Sequence, residues 1–216
     1  MESQRVTHSG GVTVLEHPLV AVALSALRAQ DTSTGEFRRN LQNLSMILLA
    51  EAARTWATFP VDIETPLRAC EGAALARPVA LVPILRAGLG MLDGMLRVLP
   101  DAPVGHLGLY RDEATLRPVT YYSRLPKNVD EATVLLLDPM LATGQSAAAA
   151  VSILKSHGAH AISFVSVVAC PAGIAHLQSA HPEVPIITAA IDPELNNVGY
   201  IVPGLGDAGD RYFGTA

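Results

Sequence analysis

Thr133-Val-Leu-Leu-Leu-Asp-Pro-Met-Leu-Ala-Thr-Gly-Gln-Ser146, followed by the small-residue run Ala147–His157, reads as a strand, a turn and a helix in immediate succession. Thr133–Leu137 is aliphatic without polar alternation, the pattern of a strand buried on both faces. Asp138 closes it with an acid. Pro139, Met140, Leu141 and Ala142 then lead to Thr143, Gly144, Gln145 and Ser146, whose amides and hydroxyls fall at the start of the helix. Such a helix N-terminus is a phosphate site by geometry and dipole. Asp138 cannot favour phosphate, so its task is to accept hydrogen bonds from sugar hydroxyls or to stand near a metal. Acid and phosphate loop together point to a phosphorylated sugar. The competing reading is an ordinary turn with Asp138 as a local cap, and spacing alone does not separate the two. The segment is not a Walker loop, because it holds no Gly-Lys-Ser/Thr.

Outward from this unit the same rhythm continues. Ala161–Ala169 reads as a strand, Ala172–His181 as a helix and Ile186–Ile191 as a strand. On the other side, Val79–Leu85 is a β-rich run broken by Pro83. It leads through Arg86-Ala-Gly-Leu-Gly90 into a helix reaching about Leu99. Val104–Tyr110 is another strand, and the polar Arg111–Pro126 resembles a long hairpin arm. Strands alternating with helices predict an α/β fold with a mostly parallel central sheet flanked by helices. Ahead of it, Pro18 suits a first helical position and Leu19–Gln30 continues as helix. Ser33-Thr-Gly-Glu36 fits a capping box, and Phe37, Leu41, Leu44, Leu48 and Ala52 recur at helical spacing. Val61, Ile63, Thr65 and Leu67 alternate as a short exposed strand would. The tail from Asn196 is rich in Gly and Pro. Without repeats or a linker, residues 1–216 read as a single domain with an N-terminal helical portion and a C-terminal lobe, residues 1–11 being expected to be flexible.

Composition bounds the function. Charged residues make 16% of the 216, against roughly 25% in an average soluble domain. Lys127 and Lys155 are the only lysines. So few charges on a small protein predict that part of its surface is hidden between copies of the chain. A net charge of −5 argues against nucleic-acid binding, which needs a basic face. An anionic ligand must then be held by a few placed arginines and backbone amides. Cys70 and Cys170 show no metal-ligand spacing, and His157 and His160 lack the pattern of a zinc helix. No apolar stretch approaches the ~18 residues of a membrane span, and Met1–Gly11 has no apolar core of a signal peptide. The expected setting is cytoplasmic, with reduced thiols.

Two further glycine segments need weighing. In Arg86-Ala-Gly-Leu-Gly90, Gly88 and Gly90 free two amides for close approach, and Arg86 supplies a fork for phosphate. A dinucleotide fingerprint fails there, since Asp93 occupies the third glycine position. Gly204-Leu-Gly206-Asp-Ala-Gly209 matches GxGxxG by letters, but too little chain follows for the helix and second strand that the motif requires. A backbone surface for a flat ligand remains open at that loop.

Three segments together, Val82-Pro-Ile-Leu-Arg-Ala-Gly-Leu-Gly-Met91, Asp138–Ser146 and Gly199-Tyr-Ile-Val-Pro-Gly-Leu-Gly-Asp-Ala-Gly-Asp-Arg211, resemble the uracil phosphoribosyltransferase family, and the likeness runs from about His17 through Thr215. The resemblance implies a type I phosphoribosyltransferase fold and the conversion of uracil and phosphoribosyl pyrophosphate to UMP and pyrophosphate. It also implies Mg²⁺ held mainly by the donor with no protein metal site, a homodimer or higher homo-oligomer, and in some members activation by GTP. By the same resemblance Asp138–Ser146 holds the donor's ribose hydroxyls and 5-phosphate. Arg86 meets pyrophosphate, and Arg111 is the donor-binding arginine at the base of the arm. Ile201, Gly206, Asp207 and Ala208 contact uracil, with Asp207 also facing the donor. Gln145 departs from the glycine most often found there, although its amide survives the change. Two rival readings are a nucleic-acid-binding regulator of the same fold and a transferase for another base. The first wants a basic face. The second usually carries two adjacent acids, where Pro139 follows Asp138 here.

Overall fold

The aliphatic runs of the sequence become the middle of one sheet. The computed structural model describes residues 6–9, 11–111 and 118–215. In chain order, β1 (Val6–Ser9), β2 (Val12–Leu15), α1 (Pro18–Arg28) and α2 (Thr34–Ala52) come first. A hairpin of β3 (Thr58–Glu64) and β4 (Ala69–Leu75) follows, then β5 (Val79–Leu85), α3 (Leu89–Leu96), β6 (His106–Arg111) and β7 (Pro118–Arg124). Next are β8 (Thr133–Leu137), β9 (Met140–Leu141), α4 (Gln145–Ser156), β10 (Ala161–Ala169), α5 (Pro171–Ala180) and β11 (Ile186–Ile191). The chain closes with β12 (Glu194–Leu195), β13 (Ile201–Val202) and α6 (Ala208–Phe213).

Among the described residues the main sheet has the order β1-β2-β11-β10-β8-β5-β6-β7, with β9 beside β10. The pairs from β2 through β6 are parallel, and an antiparallel strand closes each edge. Alternation sorts the core. Leu81, Leu135, Leu137 and Val165 point to the face covered by Leu27, Phe37, Leu41, Leu44 and Met91 of α1, α2 and α3. Their neighbours Ala80, Val82, Val134, Leu136 and Phe164 meet Val151, Leu154 and Leu177 of α4 and α5 on the other face. Both faces being covered, the strands carry no polar alternation.

Local signals explain the helices. His17 caps α1, its ring nitrogen accepting from the Leu19 amide at 3.1 Å ahead of Pro18. Ser33 caps α2 by accepting from the Glu36 amide. Two expectations change. Pro83 does not break β5, because its missing N–H falls where pairing on that side is interrupted: Leu81 bridges Val104, and the ladder resumes only at Ile84 and Leu107. The short exposed strand is half of a hairpin whose other half, β4, has the Ala- and Gly-rich sequence Ala69-Cys-Glu-Gly-Ala-Ala-Leu75. Of the first eleven residues, Val6–Ser9 pair with β2, and residues 1–5 and 10 lie outside the described ones. The predicted arm is the β6–β7 hairpin, of which residues 112–117 lie outside the described residues. Among the described residues no helix is long and apolar enough to cross a membrane.

Candidate functional site

In a parallel sheet the carboxyl ends of all strands share one edge, where ligands of open α/β proteins bind. The Arg86–Gly90 loop after β5, Asp138 after β8 and Asp192 after β11 therefore meet at that edge. The segment Gly199–Gly209 closes over it.

Asp138 sits partly buried at the end of β8, its Oδ1 accepting from the Met140 amide at 3.2 Å. Desolvation pushes its carboxyl up to about 7; the Met140 amide works against that shift and the charge of Asp207 adds to it. A carboxylate so raised is a frequent mark of a functional site. On one side of it lies a cavity of about 80 Å³, lined by Asp138, Met140, Leu141, Ala142, Thr143, Gly144, Ser146 and Ala147. This is the N-terminus of α4. Gly144 caps it at φ +77°, and a Cβ there would stand 2.5 Å from the Gly173 carbonyl oxygen, so the turn needs glycine twice over. No acidic side chain stands in the first turn of this helix, and the Gln145 amide donates to Thr143 Oγ1 at 3.5 Å.

On the other side of Asp138 a second cavity, of about 230 Å³, is bounded by Ala87, Asp138, Met140, Ala142, Tyr200, Ile201, Gly206, Asp207 and Ala208. The two share Asp138, Met140 and Ala142. Together they approach the lower end of small-ligand sites, roughly 300–1,000 Å³. Asp207 caps α6 through Oδ1, which accepts from the Asp210 amide at 2.8 Å. Its Oδ2 accepts from the Tyr200 hydroxyl at 3.5 Å, and the charge of Asp207 holds that hydroxyl above its ordinary pKa. Gly206 lies at φ +77°, while Ile201 and Ala208 are buried. The wall thus combines small or buried residues at Gly206, Ala208 and Ile201 with the side chains of Tyr200 and Asp207.

The structure does not bring every predicted residue to these cavities. Pro139 is buried, and its carbonyl accepts from the Val167 and Val168 amides at 3.0 Å, so it ties the loop to β10. Gln145 lines a different groove, between α4 and α5. Arg86 has a side chain 58% exposed; it donates to Asp210 Oδ1 at 3.2 Å and lies 5.7 Å from the centre of the Phe213 ring. Arg111 is the last residue of β6, beside residues that lie outside the described ones. Sequence reasoning missed Asp210 as the partner of Arg86 and Tyr200 as the partner of Asp207. The Gly199–Arg211 motif held both residues, but contacts across a loop leave no periodic signal. A cavity of about 640 Å³, larger than either of these, lies at the opposite edge of the sheet between Arg54, Trp56, Arg77, His160 and Glu183, away from the carboxyl-end loops.

A family model described as uracil phosphoribosyltransferase matches residues 14–215. A uracil phosphoribosyltransferase of Dictyoglomus turgidum is 54% identical over 205 residues, covering 94% of this chain and 99% of that one. A solved structure of a protein from Aquifex aeolicus superposes with a TM-score of 0.90 at 37% identity, covering 95% of this chain and 99% of the other. An adenine phosphoribosyltransferase from Trypanosoma brucei, in complex with AMP, pyrophosphate and ribose-5-phosphate, gives a TM-score of 0.57 at 12% identity over 87% of each chain, a likeness of fold alone.

Proposed function

The chain belongs to the uracil phosphoribosyltransferase family, and from that membership we propose a division of labour among the residues just described. The protein transfers the 5-phosphoribosyl group of phosphoribosyl pyrophosphate to uracil, giving UMP and pyrophosphate, a step of pyrimidine salvage. The observation that carries the assignment of roles is the junction at Asp138, where a cavity at a helix N-terminus adjoins one lined by Ile201, Gly206, Asp207 and Ala208.

The bond from ribose C1 to pyrophosphate breaks as uracil N1, giving up its proton to the departing pyrophosphate or to water, bonds to that carbon; at the transition state positive charge builds on the ribose and negative charge on the leaving group. Positioning and charge stabilisation suffice, and no covalent nucleophile is needed. The α4 N-terminus, from Thr143 to Ser146, receives the 5-phosphate, and the Asp138 carboxylate accepts from the ribose hydroxyls. Arg86 exchanges its exposed pairing with Asp210 for pyrophosphate, with Arg111 as the second cation, and Asp207 faces the donor from the lobe. Among the described residues no group of three or more His, Cys, Asp or Glu side chains is placed to hold a metal ion. By family membership, a Mg²⁺ ion would take its ligands mainly from the donor. When bound, it neutralises the charge of the pyrophosphate oxygens.

Base choice follows from the wall of Ile201, Gly206 and Ala208. Uracil presents two carbonyl acceptors around the N3 donor, which backbone N–H and C=O groups can match where side chains stay small. Cytosine places an amino donor where uracil has a carbonyl, a mismatch that can discriminate by roughly 10⁴ or more. Assay of uracil, cytosine, hypoxanthine and adenine with the donor is expected to give UMP from uracil and essentially no product from the others. A purine nucleotide product would overturn the base assignment. Ala208→Val adds two methyls to a buried position and is expected to raise the uracil KM about tenfold or more, with donor affinity unchanged. Titration of both ligands tests it, and equal losses would sink the pocket.

Association, effector and setting follow the same reading. The hairpin of β3 and β4 pairs with no other described strand, and it exposes Phe59 by 47%, Ile63 by 45% and Leu67 by 95%. A second copy of the chain covers it, forming a homodimer or higher homo-oligomer. Ile63→Asp is expected to shift the sedimenting mass toward the monomer, and an unchanged mass would remove the hairpin from the interface. GTP stands as an effector whose place is the cleft of Arg54, Trp56 and Arg77; stimulation of UMP formation by GTP tests it. The unpaired thiols of Cys70 and Cys170 support a cytoplasmic location, and the acidic net charge of −5 supports a protein without a nucleic-acid partner.

A further inference from the structure

Arg28 and Asp192 stand 164 positions apart in the chain and form a two-pronged ion pair, Nη1 to Oδ2 at 2.6 Å and Nη2 to Oδ1 at 2.7 Å. Arg28 ends α1, and Asp192 follows β11. Neither side chain lines the 230 Å³ cavity. What the pair holds is a backbone. The Gly204 N–H donates to Asp192 Oδ2 at 2.8 Å, and the Gly204 carbonyl accepts from Arg28 Nη1 at 2.8 Å. Both main-chain groups of one residue are thus committed to one partly buried ion pair. Burial alone would raise the Asp192 pKa, but the hydrogen bonds from Arg28 and Gly204 and the charge of Arg28 outweigh it and hold the carboxyl below its ordinary range.

Gly204 is a sensitive place to hold. It lies at φ +59°, and any Cβ on it would stand 2.1 Å from the Ile201 carbonyl oxygen. The turn from Ile201 to Gly204 is therefore closed tightly on itself, and Gly206 follows two residues later. Ile201 and Gly206 are the wall of the cavity. A second clamp works beside the first. Arg211 donates from Nη1 to the carbonyls of Leu27 and Leu205, and from Nη2 to the carbonyl of Ala29 at 2.5 Å, while its guanidinium lies 4.6 Å from the centre of the Phe37 ring. The Leu27 and Ala29 carbonyls belong to the C-terminal end of α1, where helical acceptors lack intrahelical partners. The end of α1 is the mount for the loop that forms the cavity wall.

We infer that Arg28 and Asp192 are positioning residues for the base: by holding both backbone groups of Gly204 they set the edge that Ile201 and Gly206 present to uracil, and they govern base affinity rather than donor affinity. The inference rests on the assignment of the 230 Å³ cavity to uracil. A displacement of about 1 Å in a binding wall can cost about a hundredfold. The pair also resists neutral replacement. An asparagine at position 192 can still accept from Gly204, but its other end then turns an amide N–H toward the guanidinium.

The test is steady-state UMP formation by the full chain, each substrate varied at saturation of the other, for the wild type, Asp192→Asn and the milder Arg28→Lys, with melting temperatures recorded. Asp192→Asn is expected to raise the uracil KM by about ten- to a hundredfold, to leave the donor KM within about twofold, and to regain most of kcat at saturating uracil. Arg28→Lys keeps the charge and one donor, and it is expected to fall between the wild type and Asp192→Asn. If Asp192→Asn does not fold, Arg28→Lys alone decides by the same split between the two KM values. Parallel rises in both KM values, or a lowered melting temperature with an unchanged uracil KM, would reduce the pair to a structural tie and overturn the inference. Wild-type chain that makes no UMP would instead overturn the uracil assignment beneath it.

Discussion

Asp138→Asn is expected to lower kcat/KM for the phosphoribosyl donor by about ten- to a hundredfold while leaving the fold intact. The loss of a charge-assisted hydrogen bond, about 1.5–3 kcal/mol, sets that range. The amide can still accept from the Met140 N–H, which the native carboxylate accepts at 3.2 Å, so the loop keeps its shape. It places N–H groups where a charged acceptor would meet ribose hydroxyls. The pH dependence separates this reading from a purely local capping role. Burial, with Asp207 adding to it, raises the carboxyl to about 7 in the free protein. The folded chain therefore binds a proton more tightly than the unfolded chain, and the stability tied to that proton is complete below about pH 4 and lost as pH rises through 7. The asparagine variant has no such proton, so its melting temperature is expected to gain on that of the wild type between pH 5 and pH 8. Donor affinity runs the other way: it falls in the wild type as pH drops below 7 and stays flat in the variant. Parallel melting curves across that range, or full activity in the variant, would remove Asp138 from the donor site.

Gly88→Ala is expected to reduce donor kcat/KM by about a hundredfold and stability by about 1–3 kcal/mol, several degrees in melting temperature. The backbone of Gly88, at φ −59° and ψ −21°, is one any residue adopts. Space is the constraint. An added Cβ would stand 2.4 Å from the Leu137 carbonyl oxygen, 2.7 Å from that of Ile84 and 2.8 Å from the Ile84 nitrogen. All three are main-chain atoms of β5 and β8, paired strands inside the sheet, so the strands cannot give way and the loop must. It would move away from the end of β8, carrying Arg86 with it and taking Ala87 from the wall it shares with Asp138. Gly35→Ala is the control. Nothing lies within 4 Å of its Cβ in the first turn of α2, and a change of at most about 1 kcal/mol, in the stabilising direction, is expected. A Gly88→Ala enzyme with native melting and native donor kcat/KM would mean that the loop does not contact the donor.

Thr133–Leu137, Val79–Leu85 and Ala161–Ala169 were legible as strands because burial on both faces leaves mostly apolar runs, with Thr133, Ser163 and Ser166 as their polar members. The capping box at Ser33 located α2, since capping is a contact between residues three apart. β4 was not legible. Its alanines and glycine have little strand propensity, and pairing with β3 alone makes it a strand. Pro83 misled for a related reason: whether a missing N–H matters depends on the neighbouring strand, and β6 pairs irregularly beside it.

The sequence by itself determined the order of strands and helices and the acid-to-helix loop from Asp138 to Ser146, together with the glycine motif of the C-terminal lobe. Each of these is written in residues a few positions apart, through periodicity, capping and turn chemistry. Only the tertiary structure decided that Asp138 stands between two cavities and that Arg86 rests on Asp210, 124 residues away. It alone joined Arg28 to Asp192 beneath Gly204. Such pairs are made by sheet order and by the return of the C-terminal lobe onto α1, and an ion pair between distant segments leaves no local pattern in either.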